Sequence, residues 1–232
     1  MKTIVAMPAR RARNAEAARA VILQAAEDVF SETGFAGARI DEIAEKSGYN
    51  KSLIFQYFGD KQGLYRAVIQ RFKTEVDQVG EQMLATMGAN WNKRLTRADV
   101  RSWIKRGVGW VFDYYRDHTN LVRILLWECA DNYRTMNALW REDDKVVWAG
   151  PVRTIFTKLK AKGLIRRGVD PILAVINLFN LTLNYHATIR RYQYVLPDQA
   201  LTSSWATTAA RTQIIDLIVN GLMTCEPKEK RK

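Results

Sequence analysis

Along most of the chain, apolar residues recur every three or four positions, and short polar or glycine-containing breaks separate these segments. A period of three to four residues is that of an amphipathic α-helix with one face turned toward a core. The pattern therefore predicts an all-α fold, with a small N-terminal unit of three helices followed by a larger helical body.

The N-terminal unit is predicted to begin with a helix over residues 15–33, which has Ile22, Val29 and Phe30 on one face and ends at Gly34. This helix should support the segment that follows it from behind. A glycine directly after the last periodic residue is a common helix stop, because it can adopt the left-handed conformation.

Residues 40–58 are predicted to form two short helices joined by a tight turn. Gly48 suits the left-handed end of the first, and Asn50 suits the N-cap of the second. Ile54 and Phe58 lie one turn apart and should pack inward, which leaves a polar and aromatic outer face. Two short helices with such a turn form a helix-turn-helix unit, whose second helix enters the major groove of DNA.

This unit resembles the DNA-binding domain of the TetR family of one-component bacterial regulators. The positions that match the family motif are Ile43, Ala44, Gly48, Lys51, Phe58, Lys61 and Leu64. The positions that depart from the usual motif residues are Ala38, Arg39, Tyr49, Asn50, Ser52, Phe55 and Tyr57. The resemblance implies a DNA-binding domain over residues 15–66 and a homodimeric repressor, which a small-molecule effector releases from a palindromic double-stranded DNA operator.

The outer face of the second short helix is the candidate DNA contact. Lysine there can donate to guanine, and asparagine or glutamine can pair with adenine, whereas the flanking basic and tyrosine side chains suit phosphates. The alternative interpretation is an ordinary solvated helix face. The candidate DNA-binding residues are Arg39, Tyr49, Asn50, Lys51, Ser52, Gln56, Tyr57 and Lys61.

The body is predicted to span residues 67–225, as the effector-binding and dimerisation domain that the resemblance implies. One helix starts after Asp60, its expected N-cap, and extends to about residue 87. The pair Gly150-Pro151 predicts a kink or break in a later helix. The further helices are expected over residues 98–118, 121–130, 133–162, 170–194 and 202–224.

The last two predicted helices are rich in apolar residues, and the first of them is apolar on nearly all sides. Such a helix must be covered on both sides, so the two helices can pair with the same two of a second copy. The resembled family dimerises in this way, which makes a homodimer the expected assembly. Asn177, Asn180 and Asn184 form a polar stripe, which orients a ligand, fixes the dimer register, or faces solvent.

The body also contains many large aromatic residues, in a chain that has 7 Trp and 9 Tyr. Aromatic walls with a few polar groups are typical of small-molecule sites, although large aromatic side chains also simply fill helical cores. The candidate ligand-binding residues are Trp103, Trp110, Tyr114, Trp127, Trp148, Asn177, Asn184 and Tyr185.

The formal net charge of +12 favours polyanionic partners. Most of the excess lies in residues 151–232, which have 13 Lys and Arg against 5 Asp and Glu, away from the predicted reading helix. Residues 1–14 form a basic segment, either a flexible terminus or an arm that lies along DNA, and residues 226–232 form a solvated tail. A basic helical protein that binds nucleic acid nonspecifically therefore remains an alternative.

Other classes receive little support from the sequence. It contains no nucleophile elbow, phosphate-binding loop, dinucleotide fingerprint or zinc-protease motif, and an enzyme with an aromatic pocket would need clustered ionisable groups. Cys129 and Cys225 have no metal-ligand spacing around them, so neither a metal nor another cofactor is expected. No run of about 18 apolar residues occurs. The expectation is a cytoplasmic protein without a membrane span.

Overall fold

The computed structural model describes residues 9–89, 95–139, 141 and 148–224. Within these residues the chain forms ten α-helices and an isolated antiparallel bridge between Ile165 and Met223, which confirms the predicted all-α fold. The helices are α1 (Ala9–Gly37), α2 (Ile40–Ser47), α3 (Lys51–Phe58), α4 (Lys61–Ala89), α5 (Arg97–Asp117), α6 (Thr119–Ala130), α7 (Arg134–Leu139), α8 (Ala149–Ala161), α9 (Pro171–Val195) and α10 (Ser204–Leu222).

The first helix is longer than its apolar pattern predicted. It begins at Ala9, so the second half of the predicted flexible arm is helical, while residues 1–8 lie outside the described residues. The segment from Ala9 to Ala20 consists mainly of alanine and arginine, which are strong helix formers even without an apolar face. At Gly34 the backbone leaves the helical conformation, with φ 69° and ψ 175°, where the sequence predicted a stop.

The sequence predicted one helix over residues 133–162 with a kink or break at Gly150-Pro151, whereas the structure shows two separate helices, the second starting at Ala149. The chain forms α7 and α8 instead, and Arg141 between them is not helical. A turn at Asn132 and Tyr133, both with positive φ, precedes α7. Pro151 does not kink a long helix but lies in the first turn of α8, where its missing N–H has no intrahelical partner to lose.

The chain divides into two compact units. The first contains the described residues up to Thr74 together with those from Arg123 to Arg141, and the second contains Glu75–Val122 and the described residues from Trp148 onward. The division therefore differs from the predicted boundary at residue 66, because α4 and α6 each contribute to both units. The predicted tail over residues 226–232, with Cys225, lies outside the described residues.

Both units have apolar cores that the helix periodicity anticipated. In the first unit, Phe30 and Phe35 both contact the ring of Tyr65, at centroid distances of 4.8 and 5.1 Å. Phe35 is half-buried, and the fully buried residues of that unit include Ile22, Val29, Ile43, Ile54, Leu64 and Val68. The second unit is built around α5, α8, α9 and α10, and its core includes Val100, Val108, Phe112, Phe156, Leu159, Ile165 and Val219.

Candidate functional site

The two short helices α2 and α3 form the predicted helix-turn-helix. Gly48 ends α2 in the left-handed conformation, with φ 72° and ψ 12°, and its N–H donates to the carbonyl oxygen of Glu45. The Oδ1 atom of Asn50 accepts a 2.9 Å hydrogen bond from the N–H of Leu53 and caps α3. With Ile54 and Phe58 buried, the capped helix is held in one orientation.

The outer face of α3 carries most of the candidate reading side chains. Asn50, Lys51, Ser52 and Gln56 are exposed, and Tyr49 and Tyr57 are half-buried. The Lys51 ammonium forms an ion pair with Asp41 of α2, but both side chains are more than half exposed. Such a pair is weak and exchangeable, so the lysine remains available to a polyanion.

The candidate phosphate contacts differ in how tightly they are held. Arg39 is exposed and precedes α2 without a side-chain capping bond. The Lys61 ammonium donates to the carbonyl oxygen of Ala36 at 3.3 Å and lies 4.7 Å from the centroid of the Phe35 ring. Burial lowers the pKa of Lys61. Lys61 is thus engaged by its own unit, whereas Arg39 extends into solvent.

Tyr57, another candidate, is held from behind by α1. Arg19 donates to the main-chain oxygen of Tyr57 at 3.4 Å, and its guanidinium lies 6.0 Å from the Tyr57 ring and 4.8 Å from the Phe58 ring. Arg19 was not a predicted site residue. Its position one helix behind α3 makes it a support for the reading face, and only tertiary packing brings the two helices together.

A buried ion pair fixes α1 against α4 in the same unit. Glu27 is almost fully buried and pairs with Arg71, whose side chain is about one-third exposed. Removing one partner from such a pair leaves an uncompensated buried charge. The pair therefore ties the helix behind the helix-turn-helix to the helix that leaves it.

The end of α6 belongs to this unit as well. The indole N–H of Trp127 donates to the carbonyl oxygen of Ser31 at 3.2 Å, and its ring lies directly over Gly34. Glu128, which is buried, accepts hydrogen bonds from the Tyr65 hydroxyl and from the N–H of Met136. Trp127 is thus a packing residue of the first unit rather than a wall of the ligand cavity.

The second unit contains an apolar cavity of about 150 Å³. Three of the predicted ligand-binding residues line it, namely Trp103, Trp110 and Trp148. The apolar residues that sequence reasoning did not select include Met83, Val111, Val152, Phe156, Leu178 and Phe179. They lie on four different helices, so a shared cavity was not visible in any single helical pattern.

The remaining ligand-binding candidates do not line this cavity. Tyr114 donates from its hydroxyl to Glu75 at 2.8 Å, and Tyr185 packs against Phe112 at a centroid distance of 5.2 Å. Burial raises the pKa of Tyr185. Asn177 and Asn184 lie on an exposed part of α9, which corrects the expectation that they face a ligand together with the aromatic residues.

The described residues offer no obvious site for a metal. Within them, no group of three or more His, Cys, Asp or Glu side chains is arranged to hold an ion. His186 Nε2 lies 2.9 Å from the carbonyl oxygen of Phe112, and burial lowers its pKa. His118 Nδ1 lies 2.8 Å from the carbonyl oxygen of Tyr114. Both imidazoles thus have neighbours of an ordinary helical core.

Comparison with known proteins agrees with the architecture of both units. Residues 22–68 match the bacterial regulatory proteins of the tetR family, and residues 101–218 match the tetracyclin repressor-like C-terminal domains. The HTH-type transcriptional repressor NicS of Pseudomonas putida is 29% identical over 222 residues, covering 91% of this chain and 95% of NicS. The repressor SCO4008 of Streptomyces coelicolor is 35% identical over 117 residues, covering 50% of this chain and 52% of that protein.

Solved structures show the same fold at lower identity. FadR of Bacillus subtilis, solved in complex with stearoyl-CoA, has a TM-score of 0.58 and 20% identity, with 87% of this chain and 98% of FadR covered. SCO4942 of Streptomyces coelicolor has a TM-score of 0.58 and 19% identity, with 88% and 97% covered. The helix-turn-helix, the helical second unit and the matches to both family domains lead to one conclusion: the chain belongs to the TetR family of DNA-binding bacterial transcriptional regulators.

Proposed function

We propose that this protein is a homodimeric repressor of the bacterial cytoplasm, which reads a palindromic operator through α3 and leaves it when a small molecule enters the cavity of the second unit. One observation carries the proposal. A short, capped helix presents polar side chains to solvent, while its apolar side is fixed in a core. NicS, which aligns with this chain over nearly its whole length, is named a repressor, and this supports repression rather than activation.

The outer face of α3 has the chemistry that base reading requires. Lys51 and Gln56 supply an ammonium and an amide group within two helical turns of the N-terminus, and Asn50, whose Oδ1 caps the helix, keeps its amide nitrogen as a donor. The N-terminal residues of a recognition helix contact base edges in the major groove. Because Lys51 pairs only with an exposed carboxylate, DNA can displace that pair at little cost.

The exposed side of α9 and α10 supports the homodimer. Leu173 on α9 is 58% exposed, and Trp205 and Leu217 on α10 are 78% and 65% exposed. Large exposed apolar patches on a single chain mark surfaces that another molecule covers. Asn177 and Asn184 are exposed one and three turns after Leu173, so in the proposed dimer they set the register rather than bind a ligand.

The exposed apolar side of α9 would also be compatible with the apolar interior of a membrane. By length and composition alone, Pro171–Val195 could cross a membrane. We assign the surface to a second copy, because the family of the chain uses the equivalent helices for dimerisation and the exposed asparagine stripe favours a polar register contact. Light scattering in detergent-free buffer should give twice the mass of the chain, and Leu173→Glu should give monomers.

The operator assignment is tested by selecting DNA from a random pool and footprinting the product. The expected footprint has two half-sites, and Lys51→Ala should weaken binding to it by about tenfold and relax the preference at one position. Lys160→Ala, which removes the same charge from α8 in the second unit, serves as the control and should leave the affinity unchanged. Binding to all sequences alike, without a footprint, would instead assign the protein to nonspecific nucleic-acid binding.

A further inference from the structure

We infer that the effector is a neutral, apolar molecule about the size of one substituted aromatic ring. This inference rests on the proposed function, in which the cavity of the second unit is the effector site. It goes further because it names the chemical class of the ligand and excludes anionic molecules of the same shape.

The wall of the cavity is apolar, which disfavours a charged ligand. Among the described residues, all those that line it either have an apolar or aromatic side chain or are glycine. The indole N–H of Trp103 is already used, because it donates to the carbonyl oxygen of Met83 at 3.0 Å. A carboxylate or phosphate held against this wall would lose part of its water shell without gaining a cationic partner among the lining residues, which is unfavourable.

The volume of the cavity limits the size of the ligand. A space of about 150 Å³ lined by apolar side chains has the size of an engineered protein cavity that stays dry and binds benzene. Trp103, Trp110 and Trp148 add flat surfaces, against which a ring can stack or present its edge. A single ring with a short alkyl substituent therefore fits both the volume and the chemistry of the wall.

A neighbouring polar cavity defines the competing ligand class. It has about 260 Å³, shares Met83 and Trp103 with the apolar cavity, and is also lined by Gln82, Thr86 and Arg106. An aromatic acid with its ring in the first cavity and its carboxylate near Arg106 would use both. We favour the neutral ligand because Met83 and Trp103, which line both cavities, are joined by a hydrogen bond and so form a fixed wall shared by the two cavities.

The test compares two probes that share one skeleton, ethylbenzene and 4-ethylbenzoate, at pH 7.5. Titration calorimetry and the emission of the lining tryptophans report binding to the full-length protein without DNA. Ethylbenzene should bind at least about tenfold more tightly than 4-ethylbenzoate, because only the acid carries a charge into the cavity. Equal or tighter binding of the acid, lost in Arg106→Gln, would overturn the neutral class, and so would failure of both probes to bind.

A cavity-filling variant locates the site. Gly80 on α4 lines the cavity, and a Cβ added there would meet no heavy atom within 4 Å apart from its own helix backbone, so Gly80→Leu has room for its side chain at the cavity wall. The variant should keep or raise its melting temperature, because leucine favours a helix over glycine. Its affinity for ethylbenzene should fall at least about tenfold, because the leucine occupies the ring volume. Unchanged affinity in a folded Gly80→Leu protein would place the ligand elsewhere and overturn the inference.

The control is Gly150→Leu, which adds the same side chain on α8 at an exposed glycine that does not line the cavity. It should bind ethylbenzene as the unmodified protein does.

Gel shifts with the selected operator then separate the two proposals. Ethylbenzene binding without any operator binding would reject the repressor and keep the ligand class, whereas operator binding that responds only to the acid would keep the repressor and reject the class.

Discussion

Tyr65 on α4 donates a 2.6 Å hydrogen bond to Glu128 near the end of α6, and both residues are almost fully buried in the first unit. Burial raises the pKa of Tyr65, and the hydrogen bond to Glu128 raises it further, so the phenol stays a neutral donor. The second carboxyl oxygen of Glu128 accepts from the N–H of Met136 at 3.1 Å. One buried carboxyl group thereby joins three segments of the DNA-binding unit.

Removing the phenol should destabilise this unit. Tyr65→Phe keeps the ring contacts with Phe30 and Phe35 but leaves one oxygen of Glu128 buried without its donor, which costs about 1–3 kcal/mol of unfolding free energy. Urea unfolding measures the loss, and Tyr194→Phe, at a largely exposed tyrosine, is the control. Equal stability of the two variants would show that the Tyr65 hydrogen bond contributes nothing net.

The helix stops and N-caps of this fold were predictable from the sequence, whereas the contact between Tyr65 and Glu128 was not. The stop at Gly48 and the caps at Asn50 and Asp60 depend on residues within three positions, so the sequence alone predicted them, and the structure confirms them. Tyr65 and Glu128 are 63 positions apart, and no periodicity links them. Only packing determines that α6 ends in the first unit.

The two candidate sites also differ in how well the sequence predicts them. The reading face follows from the spacing within one short helix, and its role in DNA binding stays a prediction. The cavity is built by several helices, so aromatic content alone selected Trp103 and Trp110 together with Trp127, which packs in the other unit. Asn177 was selected as well but is exposed to solvent, and the exposure of a side chain depends on the tertiary fold.

Gly34 should tolerate alanine less well than Gly48 does. Both have positive φ, which costs an alanine about 1–3 kcal/mol, but only at Gly34 would the added Cβ meet the Trp127 ring, at 3.0 Å. At Gly48 no heavy atom lies within 4 Å. Thermal unfolding of Gly34→Ala and Gly48→Ala should therefore show the larger loss for Gly34→Ala.

The two glycines also differ in ψ, so the contribution of the ring needs its own measurement. In a Trp127→Ala background, Gly34→Ala should cost less than in the unmodified chain, because the ring contact has gone. If the cost is the same in both backgrounds, backbone strain alone accounts for it, and the close approach of Trp127 to the helix has no energetic consequence.

Two glycines on α5 offer a matched pair in the second unit. A Cβ on Gly109 would overlap the guanidinium of Arg211, which binds Asp113 through two nitrogens at 2.8 and 3.0 Å. A Cβ on Gly107 would make an ordinary 3.7 Å contact with Met83. We expect Gly109→Ala to destabilise the protein by about 1–2 kcal/mol, since it disrupts a half-buried charged hydrogen-bond pair.

Gly107→Ala should instead be neutral or stabilising by up to about 1 kcal/mol, because alanine favours a helix. Chemical unfolding of the two variants at the same pH measures both effects. Destabilisation of the two variants to the same degree would mean that α5 tolerates no Cβ in this region, and that Arg211 is not the cause.

His186 gives the second unit a predictable dependence on pH. Its ring contacts the rings of both Phe112 and Tyr185, at centroid distances of 4.5 and 5.1 Å. Burial is the main cause that lowers its pKa, and the nearby Arg116 adds to it, although the Phe112 carbonyl and Asp113 oppose the shift. The folded protein therefore binds the imidazole proton less readily than the unfolded chain does.

The sign of the effect follows from this difference. As pH falls below the ordinary histidine value of 6.5, the unfolded chain takes up a proton that folded His186 resists, so the free energy of unfolding decreases until the folded pKa is reached. Urea unfolding at pH 8 and pH 5 should show a smaller loss for His186→Gln than for the unmodified protein, because all other groups titrate in both. An equal loss in the two proteins would mean that the imidazole binds its proton as readily in the core as in the unfolded chain.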